Sequence, residues 1–455
     1  MIKKTDVLII GGSAAGMVAA VSGKNSWPDK NFTLVKKQKD VFVPCGIPYI
    51  FGTLESSEKD LMPVDATMQK IGVQSITDEA TEIDTVGKVV SFASGEKIQY
   101  SKLVIATGST PVKPGWLQGK DLNKVFVIPK DKVYLDEMNS KLTSVKNIAV
   151  IGAGFIGVEI SDELAKKGYN VTLIEKLPHI LNLAFDIELS GKIKEMIVQR
   201  GVKVITGIGI SKVNGAADVQ SIELENGHIL EMDAVILTMG YKPNTQLAKN
   251  SGIYVDEDNF IAVDEYMRTH APDVFAVGDC AQKRDFVTRR RVPTMLASTA
   301  CAEARIAGMN LFNLYVVKTF SGTIAIYSTT IGDTGFGTAG VTEQRAREED
   351  IATVTGMFEG MNRHPGNLPG SHKQIVKLIA AQNSGVIIGG EVIGGIEAGE
   401  LTNVIGLAIQ NRMSVNSLLT TQIGTHPCLT ASPAAYPLIK AAEIISMKMN
   451  EKVYV

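Results

Sequence analysis

The 455-residue sequence contains only four cysteines, at positions 45, 280, 301 and 428, and no two of them are neighbours. Cysteines this few and this scattered exclude a secreted fold held together by disulfides, and they are typical of a reducing compartment. The residues after Cys45 read Gly46-Ile47-Pro48-Tyr49-Ile50, so the second thiol of a local dithiol is missing. Redox chemistry at Cys45 must therefore use a single sulfur.

Long basic runs and long apolar runs are missing as well. The net charge is -2, which predicts no nucleic-acid partner, and the local cluster Arg289-Arg290-Arg291 indicates a loop contact or an anion site. No stretch approaches the ~20 uninterrupted apolar residues of a membrane helix. Glycines 11, 12 and 16 interrupt the apolar N-terminus where a signal peptide is continuous. We predict a cytoplasmic protein with no membrane partner and no metal site.

Two stretches about 140 residues apart follow the same strand–turn–helix–strand pattern. The apolar strand 6–10 runs into Gly11-Gly12-Ser13-Ala14-Ala15-Gly16, and the apolar strand 147–151 runs into Gly152-Ala153-Gly154-Phe155-Ile156-Gly157. Glycines let the backbone turn sharply beside a pyrophosphate, and the helix N-terminus offers N–H groups and a positive dipole end to it. Each stretch therefore predicts a Rossmann-type dinucleotide site.

The two units differ where a ribose carboxylate is expected. Glu175 ends the second strand of the later unit, where it can accept hydrogen bonds from both ribose hydroxyls and repel a 2′-phosphate. This predicts NADH in preference to NADPH. In the first unit Ser13 replaces the middle glycine, and the strand ends in Lys36-Lys37 instead of an acid. The pyrophosphate site survives these changes, but ribose recognition must pass to another group or to water.

Three further strand ends complete a family pattern. Strands end at Thr107-Gly108, at Gly240 and at Gly278-Asp279, and Pro293 begins a predicted helix through Asn313. With the two glycine turns, the sequence resembles the FAD-dependent pyridine nucleotide–disulfide oxidoreductases over essentially its whole length. The segment Cys45-Gly46-Ile47-Pro48-Tyr49 narrows the resemblance to the single-cysteine branch. That branch includes coenzyme A-disulfide reductases, NAD(P)H-dependent persulfide or polysulfide reductases, and NADH oxidases and peroxidases.

The resemblance implies an α/β fold with two Rossmann-like domains, for FAD and NADH, and a C-terminal α+β dimerisation domain. It places the first part of the FAD domain at 1–113, the NADH domain at 114–250, the second part of the FAD domain at 251–324 and the dimerisation domain at 325–455. It also implies a homodimer whose active site is shared between the subunits.

The family's cofactor contacts carry over onto matching positions. FAD is expected at Gly11, Ser13, Ala14, Ala15, Gly16, Thr107, Gly108, Gly278 and Asp279. NADH is expected at Gly152, Gly154, Phe155, Ile156, Gly157, Glu159 and Glu175, with Gly240 as a further cofactor-binding residue. Phe155 is expected to cover the flavin face where the nicotinamide stacks, and Glu159 to lie near the nicotinamide ring.

Two reactions fit a lone cysteine in this setting. In the first, NADH reduces FAD, which reduces a low-molecular-weight disulfide or persulfide at Cys45, with coenzyme A as a candidate substrate or mixed disulfide. In the second, Cys45 cycles as a sulfenic acid in an NADH oxidase or peroxidase. Those enzymes place a histidine inside the first glycine turn, and Ala14 stands there in this sequence, which favours thiol chemistry. An NADH sensor without catalysis is the alternative from another class.

Several residues receive roles in the first reaction. His426, in Gly424-Thr425-His426-Pro427, is the candidate acid delivered from the other subunit, or else it caps a turn. Tyr49 is close enough in sequence to assist, and a predicted helix start after Cys45 lowers its thiol pKa. Cys428 is expected to be half-buried and inert, with a second active-site thiol as the alternative, and Cys280 and Cys301 are expected in the core. Lys24 and Lys70 are candidates for binding coenzyme A phosphates.

Overall fold

The two glycine-rich turns each connect a buried parallel strand to a helix in a computed structural model that describes residues 2–451. The first part of the chain contains β1 (Lys3–Ile10), α1 (Ala14–Ser26), β2 (Phe32–Lys36), α2 (Val64–Lys70), β3 (Gln74–Thr77), β4 (Ala80–Asp84), β5 (Val89–Phe92), β6 (Lys97–Ile105) and β7 (Ser109–Pro111). Two 3-10 helices, Ile47–Phe51 and Ser57–Asp60, lie between β2 and α2.

The second part begins with β8 (Val125–Val127), α3 (Lys132–Leu142), β9 (Asn147–Ile151), α4 (Phe155–Lys166), β10 (Asn170–Glu175), α5 (Ile187–Gln199) and β11 (Lys203–Thr206). It continues through β12 (Ile210–Gly215), β13 (Val219–Leu224), β14 (Ile229–Glu231), β15 (Ala234–Leu237) and β16 (Tyr241–Pro243). Next come α6 (Gln246–Asn250), β17 (Val274–Ala276), a 3-10 turn at Gly278–Cys280 and α7 (Ala297–Met309).

The last part contains β18 (Tyr327–Ile331), β19 (Thr334–Gly340), α8 (Glu343–Glu348), β20 (Thr353–Met361), β21 (Lys373–Ala381), β22 (Ile387–Gly394), α9 (Ala398–Gln410), α10 (Val415–Leu419) and α11 (Pro437–Glu451). A short 3-10 turn, Pro433–Ala435, precedes α11.

The first sheet has the order β3-β2-β1-β6-β5-β4, with β17 added in parallel beside β6. β1 lies between β2 and β6, and its apolar residues Val7 to Ile10 are buried on both faces, as is usual for central parallel strands. Helices α1 and α7 pack closely against each other. A Cβ at Gly308 of α7 would lie 2.8 Å from the backbone oxygen of Ala19, so only glycine permits this approach.

The second sheet, β11-β10-β9-β15-β8, is parallel throughout. The antiparallel sheet β12-β13-β14 follows β11 in the chain, and the pairing of β16 with β7 connects the second unit back to the first. The third large sheet, β18-β19-β22-β21-β20, is antiparallel, with α9 and α11 packed on it. The predicted fold class, two Rossmann-like units and a C-terminal α+β unit, is confirmed, whereas the boundaries at 113, 250 and 324 stay predictions.

The helix predicted from Pro293 to Asn313 is shorter than expected. It begins at Ala297, after extended backbone at Leu296, and ends at Met309. The Asn310 side chain donates to the oxygen of Ile306 and accepts from the N–H of Val316, which turns the chain away from the helix axis. Within residues 2–451, no helix combines the length and the apolar composition needed to span a bilayer.

Candidate active site

The first glycine turn is built by contacts that exclude side chains. Gly11 has a φ of +121°, and a Cβ there would lie 2.0 Å from the oxygen of Ala106. A Cβ at Gly16 would lie 1.8 Å from the oxygen of Gly11. Ser13 precedes α1 without capping it from its side chain, and the first turn, which starts Ala14-Ala15, has no acidic residue. The N–H groups at this helix start are therefore available to an anion such as a pyrophosphate.

The second glycine turn repeats this geometry. A Cβ at Gly157 would lie 1.9 Å from the oxygen of Gly152, which itself has a φ of +105°. Gly154 precedes α4, and within residues 2–451 no atom lies within 4 Å of the position of its missing Cβ. Phe155 and Ile156 begin the helix, whose first turn has no acidic residue. This open space at a helix N-terminus fits a second dinucleotide pyrophosphate.

Glu175 lies beside the second turn, at the end of β10. Its Oε2 accepts a 2.7 Å hydrogen bond from the N–H of Ala153, and its Oε1 accepts a 2.9 Å bond from the N–H of Leu177. Gly240, after β15, has a φ of +89° and open space beside it in the described chain. The structure thus brings the carboxylate to the turn where the nucleotide ribose is expected.

Asp279 lies between the two halves of the first unit. The loop before it packs on α1, because a Cβ at Gly278 would lie 2.9 Å from the Cβ of Ala15. The Asp279 Oδ2 accepts hydrogen bonds from the Ser109 Oγ at 2.7 Å and the Lys130 Nζ at 3.2 Å. Burial raises the pKa of this carboxyl, but Lys130 and the Ser109 hydroxyl more than offset it and hold the pKa below its usual value.

Thr107 and Gly108 are held by one residue of the second unit. The Thr107 hydroxyl donates to the oxygen of Asn244 at 2.6 Å, and the Asn244 side chain donates back to the oxygen of Thr107 at 3.0 Å. Gly108 has a φ of +68°, and the described residues leave open space where its Cβ would be. The threonine side chain is therefore already engaged, while the space beside Gly108 is open to a ligand.

Lys36 occupies the place of the missing ribose carboxylate and is buried. Its stem packs on Gly12, where a Cβ would lie 2.7 Å from the Lys36 Cβ. Its ammonium donates to the oxygen of Lys39 at 2.9 Å and to the Thr77 hydroxyl at 3.0 Å, and it pairs with Asp65 at 3.2 Å. The lysine is thus a structural residue at the end of β2.

Cys45 is exposed, and the loop that contains it is fixed by Asp60. The N–H of Val43 donates to the backbone oxygen of Asp60 at 2.9 Å, and a Cβ at Gly46 would lie 1.8 Å from the Asp60 Oδ1. The Asp60 side chain is buried, and its Oδ2 has no hydrogen-bond partner among residues 2–451. Burial raises the pKa of this carboxyl to about 6.

The pKa of the Cys45 thiol is raised, so the prediction that a helix start lowers it was wrong. Although the residue as a whole is exposed, neighbouring atoms crowd the sulfur and desolvate it, and the negative charge of Glu159 adds to the rise in pKa. Asp279 and Asp60 act in the same direction, and Lys130 opposes them. The segment after Cys45 is a 3-10 helix of five residues, whose short dipole does not outweigh three carboxylates.

One face of α4 packs against β18. Phe155 stacks on Tyr327 with ring centroids 4.8 Å apart and planes 7° apart. One turn later the Thr329 hydroxyl donates to the Glu159 Oε1 at 2.7 Å. Residues four apart share a helix face and residues two apart share a strand face. Positions 155 and 159 of α4 can therefore both face positions 327 and 329 of β18. The C-terminal unit therefore contributes directly to the surroundings of the nicotinamide unit.

Glu159 and Tyr49 are both perturbed by this packing. Burial raises the pKa of Glu159 to about 7, although the Thr329 hydroxyl lowers it and Glu163 raises it further. Burial also raises the pKa of Tyr49 to about 12, with Glu159 adding to the rise and the nearby Thr329 hydroxyl opposing it. The three side chains thus form one polar group beside the Cys45 loop.

Glu163 connects α4 to the same loop. Its Oε1 accepts from the Thr53 hydroxyl at 2.9 Å, and its Oε2 accepts from the Thr53 N–H. Lys166, one turn further, donates to the Thr53 hydroxyl at 3.0 Å. The helix that begins at the second dinucleotide turn is therefore anchored to the segment that follows Cys45.

His426 and Cys428 lie on an exposed loop of the C-terminal unit. The His426 Nδ1 accepts from the N–H of Cys428 at 3.2 Å, and the His426 N–H donates to the Thr430 hydroxyl at 2.9 Å. His426 therefore caps its own turn and still exposes its ring. Cys428 is exposed in the single chain, so the expectation of a half-buried cysteine was wrong for the subunit by itself.

The remaining cysteines lie within the first unit. Cys280 is fully buried, as expected, beside Asp279. Cys301, on α7, is only half-buried because α7 presents it at the margin of the core.

The contacts of the basic side chains test two predictions, one about the lysines that could bind coenzyme A phosphates and one about the arginine cluster 289–291. The Lys24 ammonium donates to the oxygens of Pro28 and Lys30 at 2.9 and 2.8 Å, so it stabilises the end of α1 and is not free to bind a phosphate. Lys70 remains exposed at the end of α2. Each arginine of the 289–291 cluster pairs with a different glutamate, which identifies that cluster as a loop contact.

Sequence patterns did not reveal Thr329, Asp60 or Lys130. Thr329 and Lys130 lie far from Cys45 in the chain, and Asp60 follows the ordinary polar run Ser56-Ser57-Glu58-Lys59. Only the alternation of buried residues along β18 contains a signal for Thr329, and it does not specify the partner.

Comparison with known proteins agrees with this architecture. Residues 5–304 match the family model described as pyridine nucleotide-disulphide oxidoreductase, and residues 326–435 match the dimerisation domain of that family. The chain is similar to an NAD(P)H coenzyme A polysulfide/persulfide reductase of Pyrococcus horikoshii, at 31% identity over 86% of this chain and 88% of that protein. It is also similar to an NADH oxidase of Methanocaldococcus jannaschii, at 28% identity over 98% of this chain and 99% of that protein.

A solved structure shows the same fold. The NAD-dependent persulfide reductase from A. fulgidus superposes with a TM-score of 0.89 at 28% identity, covering 98% of this chain and 84% of that chain. The matched dimerisation domain indicates a homodimer, and enzymes of this family use FAD and NAD(P)H. The chain therefore belongs to the pyridine nucleotide-disulphide oxidoreductase family and is a flavin- and NAD(P)H-dependent oxidoreductase.

Proposed function

We propose that the protein passes electrons from NADH through FAD to Cys45, which reduces a low-molecular-weight disulfide or persulfide. The observation that carries the proposal is the setting of Cys45. It is a lone exposed thiol on a loop anchored to α4 through Glu163, and the FAD-unit residue Asp279 is among the charges that act on it. One sulfur thus lies between the two dinucleotide units.

The residues around each glycine turn fit the two cofactors. The start of α1, Gly108 and Asp279 are assigned to FAD, and the start of α4 with Glu175 is assigned to NADH. FAD held by these residues would supply a hydride acceptor for the nicotinamide and an electron donor for the sulfur. The Glu175 carboxylate favours NADH over NADPH, because it accepts from ribose hydroxyls and repels a 2′-phosphate.

Cys45 needs help to react as a thiolate, since its pKa is raised. Lys130 is the cation that opposes this rise within the subunit. His426, supplied across the homodimer, is the candidate acid for a leaving thiolate, and its exposed ring suits that role. A single active site would then contain Cys45 from one subunit and His426 from the other.

The relatives support a sulfur substrate but leave its carrier open. The Pyrococcus horikoshii relative is named for coenzyme A and polysulfide or persulfide, and the A. fulgidus structure is named a persulfide reductase. Of the two lysines proposed for coenzyme A phosphates, only Lys70 is free to bind one. We therefore propose the substrate class as a small disulfide or persulfide, with coenzyme A as one candidate carrier.

An NADH oxidase is the second candidate, because the Methanocaldococcus jannaschii relative bears that name. In that reaction Cys45 forms a sulfenic acid and oxygen or peroxide accepts the electrons. Ala14 in the first glycine turn argues against it, since no imidazole stands at that position to act beside a sulfenic acid.

The deciding experiment is anaerobic reduction of the purified holoenzyme with NADH, with mass analysis of the Cys45 peptide before and after. A coenzyme A, glutathione or persulfide adduct that NADH removes supports the reductase. A sulfenic acid, with NADH consumed only when oxygen or peroxide is admitted, supports the oxidase. Cys45→Ser should leave NADH-dependent bleaching of the flavin intact and abolish disulfide turnover. Cys428→Ser, at the other exposed cysteine, tests whether a second thiol takes part.

A further inference from the structure

A completely buried ion pair lies behind the turn that contains Asp279. It consists of Lys283, which follows the turn, and Glu303 on α7, and neither side chain is exposed. The Lys283 Nζ lies 3.6 Å from the Glu303 Oε1, which is too far for a hydrogen bond. The Glu303 Oε1 has no hydrogen-bond partner among residues 2–451. The two side chains therefore direct their hydrogen bonds to other groups.

Those groups belong to the backbone of the turn. The Glu303 Oε2 accepts from the Gly278 N–H at 2.8 Å. The Lys283 ammonium donates to the Gly278 oxygen at 2.6 Å and to the Ala281 oxygen at 2.9 Å. The peptide groups on both sides of Gly278 are thus held by buried charges, at the point where β17 ends and the chain turns with a φ of +78°.

Gly278 is also confined between two helices. A Cβ there would lie 2.9 Å from the Ala15 Cβ, in the first turn of α1, and 3.6 Å from the Ala300 Cβ on α7. Helix α1 begins at the glycine turn assigned to the FAD pyrophosphate, and Asp279 directly follows Gly278 in the chain. The position of Gly278 therefore sets the spacing between two of the contacts assigned to FAD.

Charge pairing alone does not account for this buried lysine and glutamate. Replacing a buried ion pair by apolar side chains of similar volume often leaves stability unchanged or raises it, because two charges no longer have to leave water. Burial raises the pKa of Glu303 to about 7 even though Lys283 opposes the rise, so the loss of water is not fully offset. What apolar side chains could not supply is the pair of hydrogen bonds to Gly278.

We propose that Lys283 and Glu303 are positioning residues, which hold Gly278 so that the Asp279 carboxylate can bind FAD. Both are completely buried and act on the cofactor only through the turn that contains Asp279. The proposal rests on the part of the proposed function that assigns Asp279 to FAD.

The test compares two double variants that contain no charge at these positions and differ in one hydrogen-bond acceptor. Lys283→Met combined with Glu303→Gln keeps an oxygen for the Gly278 N–H, whereas Lys283→Met combined with Glu303→Met has a similar shape and no such oxygen. Release of FAD from each holoenzyme is followed by the fluorescence of free flavin, and visible circular dichroism reports the orientation of bound flavin. The variant with Glu303→Met should release FAD about tenfold faster than the variant with Glu303→Gln and show an altered dichroism.

A cycle with Asp279 separates positioning from general stability. In an Asp279→Ala background the two double variants should release FAD at equal rates, because the contact through which the turn acts is gone. Lys377→Met, which removes a buried lysine from the C-terminal unit, is the matched control and should leave the rate of FAD release unchanged. Lys283→Met alone keeps the Glu303 acceptor, so its release rate should lie between those of the wild type and the double variant with Glu303→Met.

Equal release rates in the two double variants would overturn the proposal, as would a difference that persists in the Asp279→Ala background. If Asp279→Ala by itself releases FAD at the wild-type rate, the assignment of Asp279 to FAD fails together with this inference. None of these results concerns the sulfur chemistry, whose failure appears separately as a Cys45→Ser variant that still reduces the disulfide.

Discussion

Lys377 on β21 is the residue whose loss should most weaken the contact between the nicotinamide unit and the C-terminal unit. Its ammonium is buried and contacts Asp186 Oδ2 at 2.9 Å, Glu343 Oε2 at 2.8 Å and Glu188 Oε2 at 3.2 Å. Asp186 also accepts from the N–H groups of Glu343 and Gln344 at the start of α8. Lys377→Met keeps most of the side-chain volume and leaves the buried Asp186, the partly buried Glu343 and the exposed Glu188 without their cation.

The size of the effect follows from this burial. Removing one partner of a buried ion pair costs about 3–5 kcal/mol, because the remaining charge stays out of water. The entropy of unfolding is about 2.1 cal/mol/K per residue, so it amounts to about 1 kcal/mol/K for a chain of 455 residues. Lys377→Met should therefore lower the melting temperature of the holoenzyme by about 3–5 °C.

Glu391 provides a matched control in the same cluster. Its Oε1 accepts from the N–H of Asp186 at 2.8 Å, and its Oε2 finds no partner in the described part of the chain. Burial, and then the charge of Asp186, raise the Glu391 pKa well above its usual value. Glu391→Gln keeps an oxygen that can accept from the N–H of Asp186 and should therefore not lower the melting temperature at neutral pH.

The pH dependence has a definite sign. A carboxyl whose pKa is higher in the folded state than in the unfolded state contributes stability below its unfolded pKa, and this contribution is lost as the pH rises towards the folded pKa. Glu391→Gln removes that loss, so the variant should gain stability relative to the wild type as the pH rises from acid to neutral. Differential scanning calorimetry at one scan rate measures both variants. A melting temperature for Lys377→Met equal to that of Glu391→Gln would refute the reasoning.

Three further predictions concern the candidate site. Glu175→Ala should weaken NADH binding about tenfold or more while affecting NADPH less, because it removes the carboxylate proposed to accept from the ribose hydroxyls. Kd values from flavin-independent fluorescence titration test this, with FAD content as the control. Gly46→Ala should lower FAD content and turnover, since the new Cβ would lie 1.8 Å from the Asp60 Oδ1. Adding Asp60→Ala should restore part of the lost FAD content and turnover. If it does not, the clash with Asp60 is not what impairs Gly46→Ala. Asp60 is charged above about pH 6 and then raises the Cys45 pKa, so Asp60→Asn should lower that pKa and speed alkylation of Cys45 by iodoacetamide at neutral pH. An unchanged alkylation rate would exclude an effect of the Asp60 charge on Cys45.

Local patterns predicted the parts of the site that depend on local geometry. Gly11 and Gly152 are marked by strand–turn–helix spacing, and Glu175 by its place at a strand end, because these features need only a few adjacent residues. Thr329 and Asp60 could not be predicted in this way. They reach the Cys45 loop only after separate elements have packed, and neither residue type is unusual on a strand or in a turn.

The errors about Cys45 and Lys24 have a related cause. A helix start was taken to lower the thiol pKa, but burial raises it, and Glu159, Asp279 and Asp60, from three separate elements, raise it further. Lys24 was counted as a free cation, although the backbone oxygens that occupy it become visible only when the end of α1 is folded. In both cases the sequence identified the residue, and its neighbours determined what it does.

The pairing of β17 with β6 has a consequence for synthesis. Leu103 lies opposite Val274 in this pair, so the first sheet gains its last strand only after about 170 further residues have been made. Before that point, a nascent chain lacks both Asp279 and the helix α7 that packs on α1. The ribosome therefore delivers a complete nicotinamide unit before a complete flavin unit. The chain should capture FAD late in translation, when residues beyond 280 have emerged, and a fragment ending at residue 250 should remain free of flavin.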